Sequence, residues 1–221
     1  STSRGLGDVY KRQDVYVRII DYKTGKKDFN IVKTYYGIDI QLMVYMEAAM
    51  KLVAKMRPGK NVIPAGVFYY NISDPIVSAT TESAEEIEDK IKGELRLKGM
   101  VNSDKDIAEK MDNTEGTSLN IPVSRKADGG FDSRRSKVMN TEQFNMLGRF
   151  VDVRAIDTAD RIVGGDIRRS PYKDGQFSSC DRCPYGAVCG FSVYLPGCNY
   201  RKLKKFDDEV LWNLSLIHIS E

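Results

Sequence analysis

Apolar and polar residues alternate over residues 15–20, and a charged turn over residues 21–25 ends this run. A period of two predicts a strand, because successive side chains of a strand point to opposite faces. Over residues 31–56 the apolar positions keep helical spacing, which predicts one long helix with Asn30 as its N-cap. Residues 64–72 are apolar and aromatic and predict a second strand.

The pattern weakens after residue 77. Two short, charge-rich segments, 82–94 and 104–111, have helical character and are separated by residues 97–101. Residues 121–138 predict a hairpin, with Asp128-Gly129-Gly130 as a turn that needs positive φ. We therefore interpret residues 77–140 as an insertion and a hairpin.

Residues 141–162 predict a long amphipathic helix, capped by Asn140 or Thr141 and ended by Gly164-Gly165. A cysteine-rich loop follows. The hairpin before this helix carries five basic residues, for which a solvated strand face is favoured over contact with a phosphate backbone. They are Arg125, Lys126, Arg134, Arg135 and Lys137.

Composition fits one ordinary domain. The 221 residues are 41% hydrophobic and 29% charged, which excludes a disordered chain, and no stretch has the length and apolarity of a membrane span or a signal peptide. We expect a soluble, intracellular protein. The formal net charge of +3 does not by itself indicate nucleic acid or membrane as a partner.

The two ends of the chain show an unusual relation. Residues 7–13 and 214–220 can be encoded by one DNA segment and its reverse complement, and both resemble translated sequencing-adaptor DNA. We expect residues 1–13 and 214–221 to be adaptor-derived tails and base the fold argument on residues 14–213. The rest of the protein, including any missing part of a site, is then expected upstream.

Residues 14–213 contain no histidine, since His218 is the one histidine of the chain. This excludes catalysis by Ser-His-Asp or Cys-His groups and metal sites that need histidine. No phosphate-binding loop of the G-x-x-x-x-G-K-[ST] type occurs either. If ATP is used, it is used by parts or partners outside this chain.

The candidate catalytic residues lie at the end of the first strand and on the helix that follows. Asp21 and Lys23 share one side of the strand, where a carboxylate can hold Mg²⁺ and an ammonium can orient a metal-bound water. Gln41 and Tyr45 lie four residues apart on one helix face. Taken alone, each of these pairs is more often a surface ion pair or a core and surface pair of a helix.

All four cysteines lie within nineteen residues, at Cys180, Cys183, Cys189 and Cys198. Without a secretion signal this spacing disfavours a disulfide framework and favours a metal held by thiolates. From spacing alone, structural zinc with Cys198 as the fourth ligand is favoured over an iron-sulfur cluster. Free structural thiols are the remaining alternative.

The strand with D-x-K and the helix with Q-x-x-x-Y together resemble the PD-(D/E)XK nuclease superfamily. The resemblance implies an α/β nuclease core that is truncated at its N-terminus, with Asp21 as a Mg²⁺ ligand, the Tyr22 carbonyl as a further ligand and Lys23 as the catalytic lysine. Gln41 and Tyr45 would be active-site or DNA-positioning groups. Another metal-binding Asp would lie upstream, so the isolated segment is expected to be inactive or crippled.

The segment 179–191 resembles the C-terminal iron-sulfur motif in the B subunit of AddAB-type helicase-nucleases. The resemblance reverses the preference for zinc: Cys180, Cys183 and Cys189 would hold a [4Fe-4S] cluster with one upstream cysteine, and Cys198 would be a bystander. Further matching pieces occur in family order. They are Ile20 to Gly25, Tyr36 to Tyr45, Pro64 to Tyr70 and Leu95 to Gly99.

This resemblance implies an exonuclease that trims broken double-stranded DNA ends in the bacterial cytoplasm, as a heterodimer with an ATP-driven A subunit and without membrane attachment. The chain would then comprise a partial nuclease core at 14–76, the insertion and hairpin at 77–140, and a helix with a cluster-binding segment at 141–213. Two alternatives remain. One is a single-subunit RecB-like exonuclease of a CRISPR adaptation module, and the other is a non-catalytic, zinc-stapled binding module.

Overall fold

The computed structural model describes residues 14–72, 75, 77, 83–206 and 212, so both predicted adaptor tails lie outside the described residues. Its main sheet has four strands in the order β1-β2-β3-β4. β1 and β2 are parallel, β2 and β3 are antiparallel, and β3 and β4 are parallel. These strands are β1 (Val15–Lys23), β2 (Val62–Asn71), β3 (Lys98–Asn102) and β4 (Val138–Met139).

A second, three-stranded sheet lies in the cysteine-rich region, in the order β6-β5-β7. Its strands are β5 (Tyr172–Asp174), β6 (Phe177–Ser178) and β7 (Arg201–Lys202). The helices are α1 (Ile31–Tyr35), α2 (Gln41–Met56), α3 (Ala84–Leu95), α4 (Lys105–Met111), α5 (Thr141–Val163) and α6 (Gly186–Cys189). The predicted α/β class is therefore confirmed.

The single helix predicted over residues 31–56 is wrong, because the chain breaks between α1 and α2. Asn30 caps α1 as predicted, by accepting a hydrogen bond from the Lys33 amide. Gly37 then takes a φ of 74°, a left-handed conformation that a helix cannot continue through and that glycine adopts without strain. The break makes Gln41 the first residue of α2, next to the end of β1.

Residues 97–101, expected to separate two helical segments, instead provide most of β3, a strand of the main sheet. Gly99 explains the close pairing with β2, since a Cβ built at this position would lie 1.9 Å from the Val67 carbonyl oxygen. A five-residue strand with a glycine gives a weak alternation signal, which is why the pattern did not reveal it.

The hairpin predicted over residues 121–138 is also mostly irregular. A single antiparallel bridge pairs Arg125 with Phe131 around the expected turn, and Gly129 has the predicted positive φ, at 75°. The end of the segment turns away and pairs in parallel with β3 as β4. Hydrogen bonds between short polar side chains and the backbone, such as those of Ser136 with Ser124, stabilise this region in place of a strand ladder.

Helix α5 follows the prediction at both ends. Asn140 accepts a hydrogen bond from the Gln143 amide, and the Gln143 side chain accepts one from the Asn140 amide, which forms a capping box. Gly165, with a φ of 74°, follows the C-cap. Among the described residues no helix is long and apolar enough to cross a membrane.

The core lies where α2 and α5 pack against one face of the main sheet. Burial of each large apolar side chain contributes about 1.5–3 kcal/mol, so this layer is what holds α2 against β1. The fully buried members include Leu42, Met43, Met46, Val67, Phe144, Leu147 and Phe150.

Candidate active site

The end of β1 carries Asp21 and Lys23 on the same face of the sheet. Parallel pairing places Asp21 beside Tyr69 and Lys23 beside Asn71 of β2. The Lys23 Nζ lies 2.8 Å from Asp21 Oδ2, and both side chains are largely shielded from solvent, at 29% and 19% exposure. The predicted strand period thus brings these two charges together.

Helix α2 adds the two other predicted residues. Lys23 Nζ donates a hydrogen bond of 2.7 Å to Gln41 Oε1, and Gln41 Nε2 donates one of 2.9 Å to the Tyr45 hydroxyl. The four residues therefore form one connected polar chain from β1 to the surface of α2. Tyr45 forms its outer end, with 45% of the residue exposed.

One oxygen of this chain has the character of a metal ligand. Asp21 Oδ2 is buried and accepts no hydrogen bond, although it faces the Lys23 ammonium. The Lys23 ammonium, 2.8 Å away, already compensates the charge of this oxygen, and carboxylate oxygens are the ligands that Mg²⁺ prefers. Asp21 thus fits the role of one Mg²⁺ ligand.

The rest of a metal site is not complete within this part of the chain. In the segments that the structure describes, no group of three or more histidine, cysteine, aspartate or glutamate residues is placed to hold a metal ion. The Tyr22 side chain points away from Asp21, packs edge-on against Tyr70 with ring centroids 5.6 Å apart, and is 64% exposed. Its carbonyl as a ligand stays a prediction.

Beneath the four residues lies a second polar cluster, which the sequence did not reveal. Asp39 is 6% exposed and accepts a hydrogen bond of 3.0 Å from the Tyr69 hydroxyl on Oδ1. Its other oxygen, Oδ2, lies 3.1 Å from Lys27 Nζ. The Lys23 and Lys27 ammoniums lie 5.5 and 5.7 Å from the centroid of the Tyr69 ring.

Tyr69 is held as a neutral hydrogen-bond donor. Burial raises its pKa most strongly, and the negative charge of Asp39 and the hydrogen bond to it raise the pKa further. The ring of a neutral tyrosine between two ammonium groups offers each an attractive face. Tyr69 therefore contacts both groups: its hydroxyl binds Asp39, and its ring lies beneath the Lys23 ammonium that is paired with Asp21.

The cysteines lie in the region of the second sheet. Cys180 follows β6, Cys183 is exposed, Cys189 ends α6, and all four thiols are free. The described residues include all four, yet no three of them are grouped as metal ligands. Arg169 Nη1 donates to the carbonyls of Cys189 and Gly190, at 3.1 and 3.0 Å, and so fixes the backbone of the last predicted ligand.

Residues 8–190 match the sequence model of the PD-(D/E)XK nuclease superfamily. The chain belongs to this superfamily. The resemblance seen in the D-x-K strand and the Q-x-x-x-Y helix is thereby confirmed at the level of the family.

Curated relatives of this PD-(D/E)XK chain are named as the B subunit of an ATP-dependent helicase/deoxyribonuclease. The protein of Thermoanaerobacter sp. strain X514 is 36% identical over 210 residues, covering 94% of this chain and 18% of the relative. That of Clostridium acetobutylicum is 36% identical over 213 residues, covering 96% and 18%. That of Clostridium botulinum strain Hall is 38% identical over 200 residues, covering 90% and 17%. The chain thus spans less than a fifth of the length of these relatives.

For a PD-(D/E)XK nuclease, the arrangement has a clear chemical use. A carboxylate paired with an ammonium, and an amide that holds this ammonium, are suited to binding and polarising a phosphodiester. The structure brings Asp21, Lys23, Gln41 and Tyr45 together as the sequence predicted, whereas their individual catalytic roles stay predictions.

Proposed function

We propose that this chain is the nuclease region in the B subunit of an ATP-dependent helicase/deoxyribonuclease and hydrolyses DNA phosphodiesters with Mg²⁺. The observation that carries the proposal is the connected arrangement in which the Asp21 carboxylate is paired with the Lys23 ammonium and the same ammonium donates to Gln41. The curated relatives, with this name and 36–38% identity, support the same assignment.

Each residue of the connected chain has a role in the proposal. Asp21 holds the metal, with the Tyr22 carbonyl as a further ligand. Lys23 donates to the attacking water or to a nonbridging phosphate oxygen, and Gln41 holds the ammonium in place for this task. Tyr45, at the exposed end, contacts the DNA backbone. Bound Mg²⁺ would supply Lewis-acid polarisation of the phosphodiester and a water of lowered pKa.

Asp21 supplies one carboxylate ligand, whereas the resemblance to the superfamily implies a metal site with a second one. We infer that a second acidic ligand comes from outside the described residues, since these group no three ligands around Asp21. The isolated chain is therefore inactive or crippled in the proposal, while a longer protein that contains it cleaves DNA.

The proposal extends to the cysteine-rich region. Cys180, Cys183 and Cys189 hold a [4Fe-4S] cluster together with a fourth thiolate from outside this chain, and Cys198 takes no part. The described thiols are not grouped as ligands in the structure, so these three residues would hold the cluster only in a different arrangement of the loop. The cluster then staples the C-terminal loop to distant parts of the protein.

In the complete protein we place this nuclease in the cytoplasm of a bacterium, paired with an A subunit. Unwinding by ATP-dependent parts outside this chain delivers strands of broken double-stranded DNA to the site for recombinational repair. The relatives' name, a helicase and deoxyribonuclease, supports this coupling of unwinding to cleavage.

The test is Mg²⁺-dependent DNA cleavage by the full-length protein in its complex, with Asp21→Ala and Lys23→Ala as variants. Each should lower the cleavage rate by about 100-fold or more while ATP-driven unwinding continues. Asp89→Ala and Lys55→Ala remove an exposed carboxylate and an exposed ammonium elsewhere and serve as matched controls. Cleavage at the wild-type rate in the Asp21 or Lys23 variant would overturn the assignment.

A further inference from the structure

A cavity of about 410 Å³ lies beside the candidate active site. This volume falls in the range of about 300–1,000 Å³ that ligand pockets occupy. Its basic side chains come from three segments: the turn after β1, the residues around the start of β3 and the stretch before β4. They are Lys26, Lys27, Arg96, Lys98, Arg135 and Lys137, and the lining also contains the carboxylates of Asp28 and Glu94.

The cavity shares Lys27 with the polar cluster beneath the site. Asp21, Tyr69 and Lys98 occupy one row across three adjacent strands, because Tyr69 pairs with Asp21 on one side and with Lys98 on the other. Directly paired residues point to the same face, and two strand spacings separate Asp21 from Lys98 by about 10 Å. Lys27, which lies over the Tyr69 ring, belongs both to the cluster under the site and to the cavity wall.

The positive charge of the cavity is only partly neutralised. Lys27 is paired with Asp39 at 3.1 Å and Lys137 with Asp28 at 2.5 Å. Lys26 and Lys98, in contrast, form no ion pair within the part of the chain that the structure describes. The Arg135 Nε is 3.9 Å from its carboxylate partner, which is too far for a hydrogen bond.

The walls of the cavity are fixed in place. Asn71 accepts a hydrogen bond from the Lys27 amide and donates one to the Lys27 carbonyl, at 3.0 and 3.1 Å, which clamps the turn after β1 to β2. The Arg96 guanidinium donates to the carbonyls of Ile121 and Val123, at 2.7 and 3.0 Å. A preformed wall loses little conformational entropy when an anion binds.

The structure also separates the basic residues of the predicted hairpin. The Arg125 guanidinium donates to the carbonyls of Asp112 and Thr114 and so has a structural role. Arg135 and Lys137 line the cavity instead. Both are exposed, so the predicted solvated position agrees with the structure for these two, whereas the half-buried Arg125 departs from it.

From this arrangement we propose that the cavity binds backbone phosphates of the DNA strand that flanks the bond to be cut. The inference rests on the proposed nuclease function and adds the direction in which the strand leaves the site, from Asp21 across β2 to β3 and the stretch before β4. The span of about 10 Å from Asp21 to Lys98 is long enough for the strand to continue past the bond to be cut. Repeated phosphates match a row of cations better than a single anion does.

The test measures binding rather than cleavage. We compare the chain with its Lys26→Gln/Lys98→Gln/Arg135→Gln variant for affinity to a fluorescent single-stranded DNA oligonucleotide, without Mg²⁺ and over a series of salt concentrations. Affinity should fall about tenfold or more, and the slope of log affinity against log salt should lessen by about 0.7 for each lost phosphate contact.

The matched control neutralises two exposed cations at the far end of α2, Lys55→Gln/Arg57→Gln, about 21 Å along the helix from Gln41. The control should bind like wild type. Equal losses in both variants, or no loss in the cavity variant, would overturn the inference. So would inorganic phosphate that competes as well as the oligonucleotide at equal phosphate concentration, since the cavity would then bind free anion.

Asp21→Ala separates this inference from the proposed function. Its readout is cleavage by the full-length protein, which the proposed function expects to be lost, whereas the cavity variants are read out by binding without Mg²⁺. If Asp21→Ala leaves cleavage by the full-length protein unchanged, the catalytic assignment fails while the cavity result stands or falls by its own variants.

Discussion

At the scale of single residues, the Lys23 ammonium is shared between a carboxylate on its own strand and an amide on α2. The two contacts fix the position of the ammonium, because the Asp21 carboxylate attracts it by charge and the Gln41 amide oxygen accepts a hydrogen bond from it. Beneath it, Asp39 has two partners of different kinds, a neutral hydroxyl and the Lys27 ammonium. Both partners compensate the cost of burying the Asp39 carboxylate.

Tyr69→Phe removes one of these partners. We expect the free energy of unfolding to drop by about 1–3 kcal/mol, because a buried carboxylate loses a hydrogen bond that solvent cannot replace. Urea unfolding of the chain measures this loss. Tyr70→Phe is the control, since Tyr70 lies next in the strand on the other face and its hydroxyl is not tied to Asp39. An equal change in both variants would contradict the role given to the Tyr69 hydroxyl.

At the scale of elements, the close pairing of β2 and β3 depends on Gly99. A Cβ at this position would lie 1.9 Å from the Val67 carbonyl oxygen and 2.8 Å from the Phe68 Cα, both backbone atoms that cannot move without opening the sheet. We expect Gly99→Ala to cost about 3 kcal/mol or more of folding free energy, measured by urea unfolding.

Gly148→Ala provides the comparison for that variant. A Cβ there would lie 1.7 Å from Glu47 Oε1, which is the end of a flexible side chain that can swing aside. The cost should therefore be clearly smaller than for Gly99→Ala. The packing argument fails if the two variants are equally stable.

The connection after α4 is held by Asp112. Burial alone would raise the pKa of Asp112, but hydrogen bonds from Thr114, Ser118 and Asn120 outweigh it and lower the pKa to about 2. A pKa below the ordinary value of 3.8 means that the ionised form is favoured in the folded protein, which contributes about 2 kcal/mol of stability.

This contribution is present above pH about 4 and is lost as the pH falls toward 2, because protonation then removes the acceptor. Asp112→Asn should accordingly be less stable than wild type at neutral pH, and the difference should shrink between pH 4 and pH 2. Unfolding of both proteins as a function of pH measures it. A difference that stays constant over this range would show that the charge of Asp112 contributes nothing.

The sequence predicted the elements whose signal is local. The strand period placed Asp21 with Lys23, and helical spacing placed Gln41 with Tyr45, so the connected chain was foreseeable. Asp39 and Tyr69 were not, because their contact depends on the break at Gly37 and on the register of β1 with β2. β3 was missed because its pairing partner lies about thirty residues away and its own five residues carry little pattern.

At the scale of the whole molecule, the cysteine-rich region and the nuclease region are joined by α5. If three cysteines hold a [4Fe-4S] cluster, the full-length protein should contain iron and acid-labile sulfide, and Cys180→Ser, Cys183→Ser and Cys189→Ser should each lose both. Cys198→Ser is the matched control and should keep them. One equivalent of zinc without sulfide would contradict the cluster and favour the zinc-stapled alternative.

Within the described residues, β1 forms the outer edge of the main sheet, with β2 on one side and no strand on the other. The nine residues of β1 are long for an edge strand, and the backbone groups that face away from β2 have no strand partner among the described residues. The same edge lies directly beside Asp21. A peptide strand supplied in trans would therefore add to β1 and could carry a carboxylate to the metal position, which makes this chain suited to a split enzyme reassembled by strand complementation.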